Sequence, residues 1–382
     1  MNIIPQSYQT HLKSQLPTAQ YLLLTLLVQL LQVIKQVKLE TLASNLPIPI
    51  LFESRRKKIQ RFLSLPQLTI EGLWFPLVQA GLTSEFEAGR MLYLVIDRTQ
   101  WMHVNLLVLS VVWGKRAYPI YWQLLNKQGC SSFAEQIIAV KKVLFLLESY
   151  RVVVLGDREF CSVRLGRWLK RRRLYFCLRL RKNEYLEVER ELYIQFYELG
   201  LEPGMSFYFE GVKVTLKKGF GRFNVACHSQ EKELGSTPEE PWFILTNLES
   251  LSAAMTAYRK RFDIEEMFRD FKLGGYNLET TNVEGDRLIA LIILIAIAYT
   301  AATMCGQNIK RFGIEKYVGR VKEADRIEPR HSHFYIGLYG QTWVQFMAPY
   351  AEIITELLQL SPHKRQYYRK GMRAMSLIQS AL

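Results

Sequence analysis

What most constrains the fold of this chain is the order of its apolar runs between residues 92 and 180. LYLVI (92–96), VNLLVLSVVW (104–113) and AYPIYWQLL (117–125) are β-branched or aromatic runs joined by short polar or Gly-containing links, the pattern of an antiparallel meander. Residues 131–149 switch to helical spacing through Phe133, Ile137, Ile138, Val140, Val143, Leu144 and Leu147. RVVVLG (151–156) then reads as a short buried strand, residues 162–173 as a basic helix, and LYFCLRL (174–180) as another strand. Three strands, then helix, strand, helix and strand, are the parts of a mixed α/β sheet.

That order is the one of a ribonuclease-H-like sheet. Residues 181–241 follow it with alternating, Gly-punctuated stretches (SFYFEG, VKVTLKKGFGRF, NVACHS) that read as a β-rich insertion. WFILTNL (242–248) resumes the core, giving a domain over 91–306. Residues 1–66 read as a small helical domain. In it Leu39, Leu42 and Leu46 keep helical spacing, Pro47 and Pro49 break it, and Arg55, Arg56, Lys57, Lys58 and Arg61 charge the next helix. A helix, a turn and a basic helix suit DNA-end binding, though many basic surface helices bind nothing. Residues 307–382 mix short helical segments and end in HKRQYYRKGMR, suited to dimerisation or DNA contact.

The chain has 382 residues, 49% of them hydrophobic, enough for a full core and two or three domains. Fifty Lys and Arg against 35 acids leave a net charge of +15, which favours a polyanionic partner, nucleic acid or an anionic membrane. Five cysteines, at 130, 161, 177, 227 and 305, form no CxxC pair, so neither a zinc site nor a disulfide framework is indicated and a reducing cytoplasm fits. Residues 21–34 are too short to span a bilayer, and Gln29 and Gln32 interrupt them. LIALIILIAIAYTAATMCG (288–306) is uncharged and long enough to span. A lone span directly after a densely charged helix makes a poor anchor, so we read it as a helix buried in a large domain.

Two strand ends carry an aspartate: LYLVID ends on Asp97 and VVVLGD on Asp157. Either alone is a turn or cap residue by default. If the two strands are neighbours, both carboxylates project at one edge of the sheet, and a helix packed across that edge adds Glu265. Three converging carboxylates repel one another unless cations sit between them, and magnesium or manganese, as a pair, would supply both the neutralisation and the chemistry of in-line displacement at phosphorus. In YRKRFDIEEMFRDFK, Tyr258, Arg261, Glu265 and Lys272 fall within roughly 60° of arc if the segment is one helix. Such a face is a solvated row of i,i+4 pairs or a surface for phosphate and metal.

Together these residues resemble one family, the DDE transposases of bacterial insertion sequences, in the branch carrying the YREK signature (insertion sequence family four). The resemblance rests on Asp97 in VIDRTQW, Asp157 in VLGDREF, the Y-x2-R-x3-E-x6-K spacing of Tyr258, Arg261, Glu265 and Lys272, and the Trp-led strand WFILTNL. It implies a ribonuclease-H-like catalytic core with a β-strand insertion between the second Asp and the Glu. It also implies Mg2+-dependent nicking at the terminal inverted repeats of a mobile element, with Mn2+ able to substitute, and transfer of the freed 3′-hydroxyl into target DNA. Asp97, Asp157 and Glu265 would be catalytic and metal-binding, two ions being expected, while Tyr258, Arg261 and Lys272 would hold DNA. Trp242 stands where the family stacks a flipped base, and its other reading is a core tryptophan. Synapsis of two ends implies a homodimer on DNA, in a bacterial cytoplasm at the nucleoid and not at a membrane.

Other readings stay open. A ribonuclease-H-like nuclease or domesticated transposase would cut without joining, and a DNA-binding protein would do neither. His331 and His333 have a metal-capable HxH spacing but suit a surface role. Lys170 to Arg173 would flank DNA or be solvated, and Thr99 would position a metal-bound water or cap a turn.

Overall fold

The computed structural model describes residues 3–215, 221–231, 240–323, 330–360 and 362–381. The chain divides into two units, one formed by residues 1–82 and 269–382 and the other by 83–268.

Among the described residues, the second unit holds one sheet built from β1 (Met91–Trp101), β2 (Val104–Trp113), β3 (Arg116–Leu124), β4 (Arg151–Gly156), β5 (Tyr175–Arg179), β6 (Tyr185–Glu189), β7 (Leu192–Gln195), β8 (Ser206–Val214), β9 (Gly221–His228) and β10 (Trp242–Thr246). Their order across the sheet is β3-β2-β1-β4-β5-β10-β9-β8-β6-β7. The first three strands are antiparallel, while β4 runs parallel to β1 and β5 parallel to β4. This is the ribonuclease-H-like core, a mixed α/β sheet. Strand β2, second from the edge, is buried along its whole length, which explains a run of ten residues with almost no alternation. β10 pairs antiparallel with β5 and passes the sheet on to β9. The insertion therefore extends the same sheet instead of forming a separate layer.

Helix termini follow local capping. The helix Phe133–Val143 starts at a capping box in which the Ser132 hydroxyl and the Glu135 carboxylate each satisfy the other residue's backbone N–H, and a 3-10 turn, Leu144–Leu147, continues it. Ser162 caps the helix Val163–Arg171.

Three local expectations are corrected. β1 does not end at Asp97; it runs on to Trp101 paired with β2 alone, so Thr99 is a strand residue opposite Leu106 and no turn cap. The segment carrying the YREK residues is not one helix. It comprises Leu251–Arg259, a 3-10 turn Lys260–Phe262, and Asp263–Phe271. It stops there because Gly274 and Gly275 fold back on it, and a Cβ on Gly275 would lie 1.9 Å from the Asp270 carbonyl oxygen. Lys170 to Arg173 is exposed and precedes β5. It thus lies at the end of the parallel strands opposite Asp157, roughly five residues of strand, or about 16 Å, away.

The first unit is helical. Gly285–Arg311 is, among the described residues, long and apolar enough to cross a membrane, and 94% of its most apolar window is enclosed by protein. The helix Thr18–Ile34 packs along it, with buried Gln32 donating to the Ala298 carbonyl at 3.1 Å. His333–Met347 crosses it at glycines: a Cβ on Gly337 would meet the Ala302 carbonyl oxygen at 1.7 Å, and one on Gly306 the His333 carbonyl oxygen at 1.8 Å. In the proposed helix-turn-helix pair, Leu39–Asn45 and Phe52–Leu63, Arg55 donates to the Ala43 carbonyl at 2.7 Å and Arg56 pairs with Glu40 at 3.2 Å. Lys57, Lys58 and Arg61 remain exposed.

Candidate active site

The register of the sheet builds the site. The parallel ladder of β1 with β4 closes on the pair Ile96–Gly156, and Asp97 and Asp157 each follow by one residue. Side chains alternate along a strand, so both project to the same face from adjacent strands about 4.8 Å apart. Gly156 leaves room for the turn that follows Asp157 and for β5: a Cβ there would meet Phe160 Cβ at 2.8 Å and Leu178 Cδ2 at 3.1 Å.

Arg261 joins the third acid to this row. The tighter 3-10 turn sets its side chain inward, 9% exposed, where Nη1 lies 3.4 Å from Asp97 Oδ2 and Nη2 donates to Glu265 Oε1 at 2.5 Å. One guanidinium thus bridges two of the expected carboxylates. Burial raises the Asp97 carboxyl to about 7; Arg261 and the Arg98 backbone N–H act against that, while the Asp157 and Glu265 charges add to it. Asp157 also plays the ordinary turn role, accepting from the Glu159 backbone N–H at 2.8 Å.

The aromatic members lie beneath. Tyr258 is fully buried and Trp242 is 4% exposed, their rings 5.2 Å apart and edge to face, with Phe262 5.7 Å from the indole. Burial pushes the Tyr258 hydroxyl up to about 12, and its oxygen finds no hydrogen-bond partner among the described residues. Lys272 falls in the turn after Phe271, in the helical unit, and pairs with Glu279 at 2.6 Å. His331 stacks on Tyr335 with ring centroids 4.0 Å apart.

A second layer escaped the sequence reading. Arg98 Nε donates to Glu159 Oε2 at 2.9 Å, a pair 17% and 10% exposed, while Glu159 Oε1 accepts from the Ser131 backbone N–H and hydroxyl, both at 2.8 Å. Arg98 also reaches Asn105 Oδ1 at 3.0 Å, and Asn105 holds the Lys127 and Gly129 carbonyls. This network ties the residue after Asp97 to the turn that carries Asp157. Its only trace in sequence is a charge beside each aspartate, in DRT and DRE.

Asp97, which feels the charges of the other two, stands with Asp157 and Glu265 as a set of hard oxygen ligands, the chemistry a divalent cation takes. In the geometry described, Arg261 supplies the neutralising charge, and among the described residues no three His, Cys, Asp or Glu side chains are grouped tightly enough to hold a metal ion. The donor set fits such an ion in kind; the guanidinium stands between its members.

Residues 131–301 match the transposase DDE domain. The matched span of the DDE domain includes Asp157, Trp242, Tyr258, Arg261, Glu265 and Lys272, and begins after Asp97. The match, which spans less than half of the chain, implies a phosphoryl-transfer enzyme domain. No curated protein matches the sequence. A solved piggyBac transposase synaptic complex with hairpin DNA is 13% identical, covering 98% of this chain and 82% of that one with a TM-score of 0.45, a likeness too distant to argue from.

Proposed function

We propose that this chain is a cut-and-paste DNA transposase of the YREK-signature branch, cleaving at the terminal inverted repeats of a mobile element and joining the freed 3′-hydroxyl to target DNA. The supporting observation is the row of Asp97 and Asp157 on adjacent parallel strands with Glu265 linked to it through Arg261. A nuclease active site needs the acids together; the bridging arginine adds a group that binds phosphate oxygens bidentately. Asp97, Asp157 and Glu265 would hold Mg2+, two ions in this reading, which when bound supplies activation of the attacking oxygen and stabilisation of the leaving one. The side chains themselves orient and neutralise. Arg261, relieved of its carboxylates, turns to the phosphate, Tyr258 offers its unpaired hydroxyl below it, and Lys272 reaches DNA from beyond the helix. Trp242 would serve a flipped base only after moving out from Tyr258 and Phe262. The helical regions 1–66 and 307–382 would bind element ends and pair two copies on DNA.

The test is cleavage of a plasmid carrying the reading frame with its flanking DNA. Wild-type protein with Mg2+ nicks at inverted repeats beside the frame, whereas Asp97→Ala, Asp157→Ala and Glu265→Ala bind the same DNA and do not nick. Nicking by any of the three at the wild-type rate overturns the assignment.

A further inference from the structure

The row of Asp97 and Asp157 continues into the next strand. β5 runs parallel to β4 with Leu178 opposite Gly156, so Arg179 follows Leu178 as Asp157 follows Gly156. Ile96, Gly156 and Leu178 form one line across the sheet, and Asp97, Asp157 and Arg179 form the next, projecting to the same face. A guanidinium therefore stands one strand away from the second aspartate, on the side away from the first.

Arg158, adjacent to Asp157, joins it there. Arg158 Nη2 pairs with the carboxylate of Glu240, and Arg179 Nη2 lies 4.0 Å from that carboxylate and 3.4 Å from the Glu240 carbonyl oxygen. One carboxylate is a poor match for two guanidinium groups. The Nε atoms of Arg158, Arg179 and Arg261 and the hydroxyl of Tyr258 are all buried with no hydrogen-bond partner among the described residues. Buried unmade donors are costly, and here the four belong to residues around the acidic row. Burial lowers the Arg179 pKa, and the charges of Tyr258, Arg158, Glu240 and Arg261 all act on it, which places these groups in one locale. Donors exceed acceptors, and a phosphodiester, with two non-bridging oxygens in the plane a guanidinium fork matches, supplies what is missing.

We propose that Arg158 and Arg179 form a clamp for a DNA backbone phosphate beside Asp157, and that the Glu240 carboxylate occupies this clamp until DNA displaces it. The proposal rests on the DNA-transposase reading. Glu240 stands two residues before β10, so a carboxylate at the foot of that strand would guard the site.

The test measures anisotropy of a short fluorescein-labelled DNA duplex with the full-length protein, in EDTA to prevent cleavage, over a series of KCl concentrations. Arg179→Gln weakens binding roughly tenfold and makes the slope of log K against log salt shallower by about one. Glu240→Gln tightens binding, and that gain disappears when Arg158→Gln and Arg179→Gln are also present. A folded Arg179→Gln protein with the wild-type salt slope, or a Glu240→Gln protein that binds as wild type does, overturns the clamp while leaving the transposase reading intact. If Arg179→Gln does not fold, the Glu240→Gln comparison decides alone. Wild-type protein that fails to bind the duplex at any salt concentration overturns the reading and the clamp together.

Discussion

Asp97 and Asp157 stand side by side, each one residue past the Ile96–Gly156 pair that closes the parallel ladder of β1 and β4. The placing of Asp157 depends on its neighbour Gly156, where any Cβ meets Phe160 in the turn that follows and Leu178 on β5. Gly156→Ala should therefore lower stability by about 1–3 kcal/mol through overpacking, with cleavage lost in parallel as Asp157 is displaced. Urea denaturation and a nicking assay on the same preparation check this; an unchanged midpoint would show that the sheet absorbs the methyl group.

The Asp97 proton makes stability depend on pH. Its carboxyl is at about 7 in the folded protein against 3.8 ordinarily, so the folded state binds more protons between these values. That contribution is fully present below the unfolded value and is lost as pH rises through the folded one, by up to the order of 4 kcal/mol. Asp263, raised to about 6 chiefly by burial, acts in the same direction. Thermal melts in EDTA should fall from about pH 5 to about pH 8, and Asp97→Asn should flatten that fall. A slope unchanged by Asp97→Asn would contradict the buried, raised carboxyl.

Glu159 holds the Asp157 turn to Arg98 and Ser131. Glu159→Ala leaves the Arg98 guanidinium buried with one acceptor fewer, at a cost of about 3 kcal/mol or more. Glu159→Gln keeps an acceptor for Ser131 but sets its amide NH2 against Arg98, so it should recover only the Ser131 part of that stability. Cleavage by both variants should drop with DNA affinity little changed, because neither touches the phosphate-facing groups; equal loss of affinity and cleavage would contradict this division.

In the helical unit, Gly337→Ala drives a Cβ into the Ala302 carbonyl, a clash with backbone that no rotamer relieves. Destabilisation of about 3 kcal/mol or more is expected, at the upper end of overpacking costs, read as an earlier thermal transition. Gly371→Ala, at a position with nothing within 4 Å of the added Cβ, serves as the control and should be neutral or slightly stabilising.

Much of this was legible in the chain. Periodicity located β4 to the residue, and the order of strands and helices anticipated the ribonuclease-H-like core. What periodicity cannot carry is pairing between distant segments. β1 outlasts its parallel partner because β2 continues beside it, and nothing within LYLVID signals that. Arg98 and Glu159 are 61 residues apart, and their pairing follows from register alone. The break at Lys260–Phe262 opposes the helix-forming spacing around it and turns Arg261 inward to the acids, contacts between distant segments that no local spacing announces. Lys272 kept its place in the signature spacing but not on the helix, because Gly274 and Gly275 end it first.

Strand transfer separates a transposase from a nuclease with the same acids. Purified protein is incubated with Mg2+, a target plasmid, and pre-cut DNA ends bearing free 3′-hydroxyls and the inverted repeats that flank the reading frame. Covalently joined products, absent with Glu265→Ala, are the expected result. Cleavage of the intact ends with no joined product from the pre-cut ends would contradict the proposed function.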